Sequence, residues 1–171
     1  MVAIGLMTGA LLSLAQLFVI AMRTNGSSRN ATYAAVLAQQ KVEELRSLTW
    51  GFDVQGLPLS DTTTNSAVDP LEPNDGTGLS PSPASALQED TPGYVDYIDA
   101  FGKKLGGGGR PIPGTAYIRR WSVEPLSSDP DDTLIIQVLV TRPGSRPQPT
   151  RFVARGPDEA RLVTVKTRTA R

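Results

Sequence analysis

From Val2 to Met22 the chain runs 21 residues without a charge, VAIGLMTGALLSLAQLFVIAM, before Arg23. At 1.5 Å rise per residue a helix of that length spans about 30 Å, the thickness of the hydrocarbon core of a bilayer. A helix apolar on every face has no surface to offer water, so it belongs in lipid or among similar helices. Residues 1–23 therefore predict a membrane-crossing or helix-bundle segment. A cleaved signal peptide fits less well, because no basic residue precedes the run and no small-x-small site closes it. A buried soluble helix would carry more polar positions over about six turns. The nearest charges, Arg23 and Arg29, lie C-terminal to the run, so the positive-inside rule requires further basic residues upstream if the rest of the chain is to lie outside the cytoplasm.

Helical character resumes over Asn30–Leu48, within an amphipathic segment covering residues 24–50. Tyr33, Val36, Leu37, Gln40, Leu45 and Leu48 recur along one face, and Lys41, Glu43, Glu44 and Arg46 occupy the remainder. Lys41 with Glu44, and Glu43 with Arg46, sit three apart and form exposed pairs worth a few tenths of a kcal/mol each. Asn25 and Gly26 mark the one place where the two halves could separate; without a break there, a rod of about 47 residues would extend roughly 70 Å. Residues 51–114 read as a Pro/Gly-rich loop region draped over a core, with one short alternating strand at Tyr94–Phe101 and a flexible connection at Gly106–Gly109. Residues 115–171 read as an antiparallel sheet. Thr115–Pro125 places Tyr117, Trp121 and Val123 on one side and Ile118 and Arg120 on the other. Thr133–Thr141 is apolar enough to be covered on both faces, and Ser127–Asp132 turns between the two. Arg151–Ala154 and Arg161–Thr167 suggest a second hairpin. The fold class is α+β, a long N-terminal helix whose amphipathic half covers a C-terminal antiparallel sheet.

Chemistry narrows the function by exclusion. Neither His nor Cys is present, which removes the commonest general base, the commonest metal ligands and every disulfide. No Gly-x-Ser-x-Gly elbow occurs, and no Ser triad can be built without His. No enzymatic activity, cofactor or metal is expected; an envelope enzyme would need two carboxylates converging in a cleft. Asp129, Asp131 and Asp132, or Asp69, Glu72 and Asp75, offer oxygen ligands for Ca²⁺ but lack a regular ligand spacing. Gly106–Gly109 lacks the Lys-Ser/Thr ending of a phosphate cradle. Trp50 and Trp121 read as packing anchors. Lys+Arg and Asp+Glu both number 17, so net charge favours no polyanionic partner. The charges are unevenly spread, with an acidic stretch over residues 51–102 and a basic one over residues 142–171, for which mutual pairing within the chain or solvation is the simplest account. The basic tail has Phe152 as its one aromatic and no stacking series, so no nucleic acid is expected.

The run VAIGLMTGALLSLAQLF, followed at the right distance by LAQQKVEELRSLTW from Leu37 to Trp50, resembles the type IV pilin and type II secretion pseudopilin family, closest to its minor pilins. The resemblance covers about the first 50 residues; beyond them only the architecture matches. It implies a structural subunit of a type IV pilus or a secretion pseudopilus, held in the bacterial inner membrane with its sheet domain in the periplasm. Such a subunit is then drawn into a periplasmic or cell-surface filament whose core is a bundle of the N-terminal helices. Other pilin subunits and a prepilin peptidase would be its partners. The family hallmark, a basic leader, a Gly at the cleavage site, then Phe-Thr-Leu and a Glu, is expected upstream of Met1, because Met1–Gly5 looks like the segment just after that Glu. Within the helix, Gly5, Gly9 and Ser13 form a small-xxx-small line that permits close approach, with Leu12 and Phe18 as packing residues. Tyr33, Leu37, Leu45, Leu48, Trp50 and Trp121 would join helix to sheet. The alternative is a single-pass envelope protein whose periplasmic β-rich domain binds a partner and never polymerises.

Overall fold

The computed structural model describes residues 2–64, 77–144 and 159–169, with side chains at Met7 and from Leu11 onward. It is an α+β fold. One helix, α1, runs unbroken from Val2 to Ser47, so Asn25 and Gly26 do not separate its halves. Among the described residues seven strands follow: β1 (Trp50–Phe52), β2 (Pro58–Ser60), β3 (Val95–Ile98), β4 (Lys104–Gly106), β5 (Tyr117–Leu126), β6 (Asp129–Thr141) and β7 (Ala160–Thr167). All pairings among these strands are antiparallel. β1 and β2 make a small hairpin, and the other five form one sheet in the order β4-β3-β5-β6-β7.

The C-terminal half of α1 lies across this sheet, mainly over β6 and β7. Ala34, Leu37, Ala38, Val42, Leu45 and Leu48 are buried against Tyr117, Trp121 and Val123 of β5 and Leu134, Ile136, Val138 and Val140 of β6. That line of helix positions follows the 3.6-residue period. The opposite face of the sheet holds a smaller cluster of Val95, Tyr97 and Ile118, with Leu105 packed against it. The two-sided reading of β5 therefore matches the structure: Tyr117, Trp121 and Val123 face the helix, and Ile118 and Arg120 face away.

Several expectations are corrected. Val36 is half exposed and Gln40 exposed, whereas Lys41, placed with the exposed charges, is fully buried in the middle of the packed face. β3 is shorter than Tyr94–Phe101, and its four residues are all buried because both faces are covered. The described part of residues 51–114 holds β2, β3, β4 and most of β1; the three-residue strands escape the loop reading's notice because they fall below the length at which alternation is visible in sequence. The β5–β6 turn is only Ser127–Ser128, with Leu126 opposite Asp129. Within Gly106–Gly109, Gly106 pairs with Tyr97 in the sheet and a Cβ on Gly107 would stand 2.4 Å from the Val95 carbonyl oxygen, whereas one on Gly108 or Gly109 would meet open space. Glycine at position 107 lets main chain lie directly on main chain. Of the second hairpin, β7 is described and pairs with β6, from Thr133 opposite Thr167 to Val140 opposite Ala160. Arg151–Ala154 lies outside the described residues, as do Asp69, Glu72 and Asp75.

Candidate functional site

The two halves of α1 have opposite relations to the rest of the molecule. Met7, Leu11, Leu12, Leu14, Leu17, Phe18, Val19, Ile20 and Met22 are all exposed, with Leu12 at 66% and Phe18 at 65%. Taken at 100° per residue these positions point around the whole circumference, so no face of this half is polar. Leu12, Ala15, Gln16, Val19 and Ile20, spaced three to four apart, line a shallow apolar groove along one side. Ser13 is exposed on the same stretch. Gly5 and Gly9 lie on the described backbone of α1, eight and four residues before it, but their surroundings fall outside the described side chains. Among the described residues no helix is long and apolar enough to cross a membrane. The uncharged run enters that statement only in part, since the side chains of residues 2–6 and 8–10 lie outside it.

What holds this half away from the domain is the grip on the other half. Tyr33 is the first helix residue to pack on the core, its ring 5.5 Å from that of Tyr117. Leu37, Leu45 and Leu48 sit in the core with Trp121, and Trp50 packs against its edge. At the centre of the interface is a buried ionic group that sequence reasoning missed. Lys41 Nζ lies 2.9 Å from Glu44 Oε1 and 3.4 Å from Asp96 Oδ2. It also stands 4.2 Å above the Trp121 ring, a cation–π geometry. Arg119 donates from Nε and Nη2 to Asp96 Oδ2, and from Nη1 to the carbonyl of Leu37, 3.0 Å away. Lys104 of β4 approaches Glu44 Oε2 at 3.8 Å. Burial pushes the Lys41 ammonium below its ordinary range, against the opposing pull of Asp96. The group thus ties one turn of α1 to β3, β4 and β5 at once, and fixes where along the sheet the helix lies. A sequence signal for it exists. Lys41 completes the 3.6 period of Ala34, Leu37, Ala38 and Leu45, Asp96 alternates with Tyr94 and Ile98, and Arg119 alternates with Tyr117 and Trp121.

A second latch lies at the far end of α1. Arg168 stacks 3.8 Å from the Trp50 ring, pairs with Asp132 at 3.1 Å and donates to the carbonyls of Asp131 and Gly51. Lys166 donates to the carbonyl of Arg46 near the end of the helix. Asp132 and Asp129 are thereby engaged within the chain, Asp129 accepting from Thr133 Oγ1. Among the described residues no group of three or more acidic side chains is arranged to hold a metal ion. Comparison with protein-family models, with curated proteins and with solved structures returns no match.

Proposed function

We propose that the chain is a structural subunit of a filament of the type IV pilin class, a minor pilin or pseudopilin that acts by packing rather than by catalysis. In this reading its apolar half-helix is held in the bacterial inner membrane, with the sheet domain on the periplasmic side, until it joins the helices of neighbouring subunits in the filament core. One observation carries the reading: a single unbroken helix is clamped to a sheet along one half and offers exposed large apolar side chains on all sides along the other. Exposed apolar surface of that extent marks a site of contact with lipid or protein. Lipid-facing and helix-facing surfaces are chemically alike, so the same half-helix can pass from one environment to the other at little cost.

The absence of Cys makes the test clean. Leu12→Cys and Leu14→Cys place two thiols on opposed sides of the exposed half-helix. The variant is expressed with its natural upstream region beside its own assembly machinery, and membranes are treated with a short bifunctional maleimide. A ladder of covalent multimers is expected from a helix bundle. Membrane-held monomer alone would sink the filament and leave the single-pass envelope protein; a chain in neither membrane nor ladder would sink both.

A further inference from the structure

The domain is polar along the direction of α1, and the sequence halves do not reveal it. The end from which the exposed half-helix leaves is marked by Tyr33, Tyr117 and the β3–β4 turn, where a Cβ on Gly102 would stand 2.8 Å from the Tyr33 hydroxyl. Among the described residues its exposed charges are basic, Arg29 on the helix, Lys103 in that turn and Arg142 just past β6, and the acid Glu159 ahead of β7 is half-buried. The acid in the turn, Asp99, faces inward and accepts the backbone N–H groups of Phe101 and Lys103. The opposite end, about 26 Å away at 3.3 Å per residue along β5 from Ile118 to Leu126, carries exposed Glu124, Asp129 and Asp131. Of the basic groups there, Lys166 is turned onto the Arg46 carbonyl and Arg168 onto Asp132, while Arg46 is exposed and offset by its neighbour Glu43 at 3.6 Å. Each end also bears an exposed apolar side chain. Phe101 is 91% exposed at the basic end; Val54, beyond the β1–β2 hairpin that Trp50 ties to Asp132, is 96% exposed at the acidic end.

We infer that the basic end of one domain docks on the acidic end of a second copy of this chain, with Phe101 and Val54 within the contact. This deepens the filament reading and rests on it. The contact is heterologous, since different patches meet, and a heterologous contact that does not close on itself propagates as an open helix. Charge complementarity then sets polarity and register along the filament, while the half-helices supply the apolar burial. It is a second, independent determinant of assembly, located in the globular domain.

The test uses full-length chain in detergent micelles. One copy carries Lys103→Cys and the other Asp131→Cys. A disulfide joining residue 103 to residue 131 is expected in the mixture, with at least tenfold less product when either variant is alone. In sedimentation, Lys103→Glu with Arg142→Glu should weaken self-association at least tenfold, and mixing with a Glu124→Lys, Asp131→Lys copy should restore it. Equal yields of 103–103 or 131–131 links, or no rescue by the reversed pair, would overturn the inference. The Leu12/Leu14 ladder is read in parallel. A ladder without the 103–131 link sinks the end-to-end contact alone, and loss of both sinks the filament reading with it.

Discussion

Asp96 is the residue on which the helix–sheet interface depends most. It is fully buried, it is the shared partner of Lys41 and Arg119, and its second carboxylate oxygen has no hydrogen-bond partner. Removing it leaves two buried cations facing each other, so Asp96→Ala should cost about 3–5 kcal/mol in urea unfolding. Adding Lys41→Met removes one stranded cation and should recover a substantial part of that loss; an additive double mutant would show that the two do not interact. Alkaline titration separates two further groups. Lys41 holds its proton less tightly folded than unfolded, so the unfolded state binds more protons below 10.5 and the Lys41 contribution to stability improves as pH rises toward that value. Tyr97 behaves oppositely. Burial, reinforced by Asp90, pushes its hydroxyl up to about 12 from 10.0. Its contribution is complete below pH 10 and is lost as pH climbs through about 12. Tyr97→Phe should flatten the stability loss in that window, and Lys41→Met should abolish the gain below it, both measurable by thermal melts stepped from pH 8 to pH 12.

Among the elements, α1 is the most legible in the sequence and its buried charge the least. A long uncharged run followed by an amphipathic segment predicts the helix and its division of labour, because both signals repeat over many turns. Sequence reasoning assigns Lys41 to solvent because a charge is rarely fully buried unless paired, and its partners Asp96 and Arg119 lie 55 and 78 residues further along. Pairing across such separations leaves no local trace. The short strands β1, β2 and β4 are hidden for a different reason: three residues carry too little period to distinguish a strand from a loop. Unbroken passage through Asn25-Gly26-Ser27-Ser28 shows that weak helix formers extend a helix when strong turns flank them. A Cβ added at Gly26 would meet nothing within 4 Å, so Gly26→Ala should raise helix content and stabilise this stretch by about 1 kcal/mol, read by far-UV circular dichroism on heating. Gly102→Ala should do the reverse. With φ of +88° and the Tyr33 hydroxyl 2.8 Å from the added carbon, it should lower the melting temperature of the domain and loosen the turn that presents Lys103.

For the whole molecule the decisive property is that the folded domain and the exposed apolar half of α1 draw on different residues. The folded domain is complete with Tyr33 to Leu48 as its helical layer, and nothing described between Leu11 and Met22 is buried. A charge placed on the exposed half should therefore leave domain stability untouched while destroying whatever that half binds. Leu12→Lys with Phe18→Lys is the sharpest version, because both side chains are about two-thirds exposed and lie on different sides of the helix. An unpaired Lys near the middle of an apolar span costs about 2.5–3.5 kcal/mol on insertion scales, so two should release the protein from detergent or lipid dependence. The expected pattern is an unchanged melting temperature and a chain soluble without detergent. A fall in melting temperature of the kind expected for Trp121→Ala, which empties the core at a cost of about 3–5 kcal/mol, would mean instead that the half-helix folds back as part of the domain. The two variants thus report on separate layers of the molecule, the core that stabilises the domain and the apolar half-helix that contributes nothing to that core.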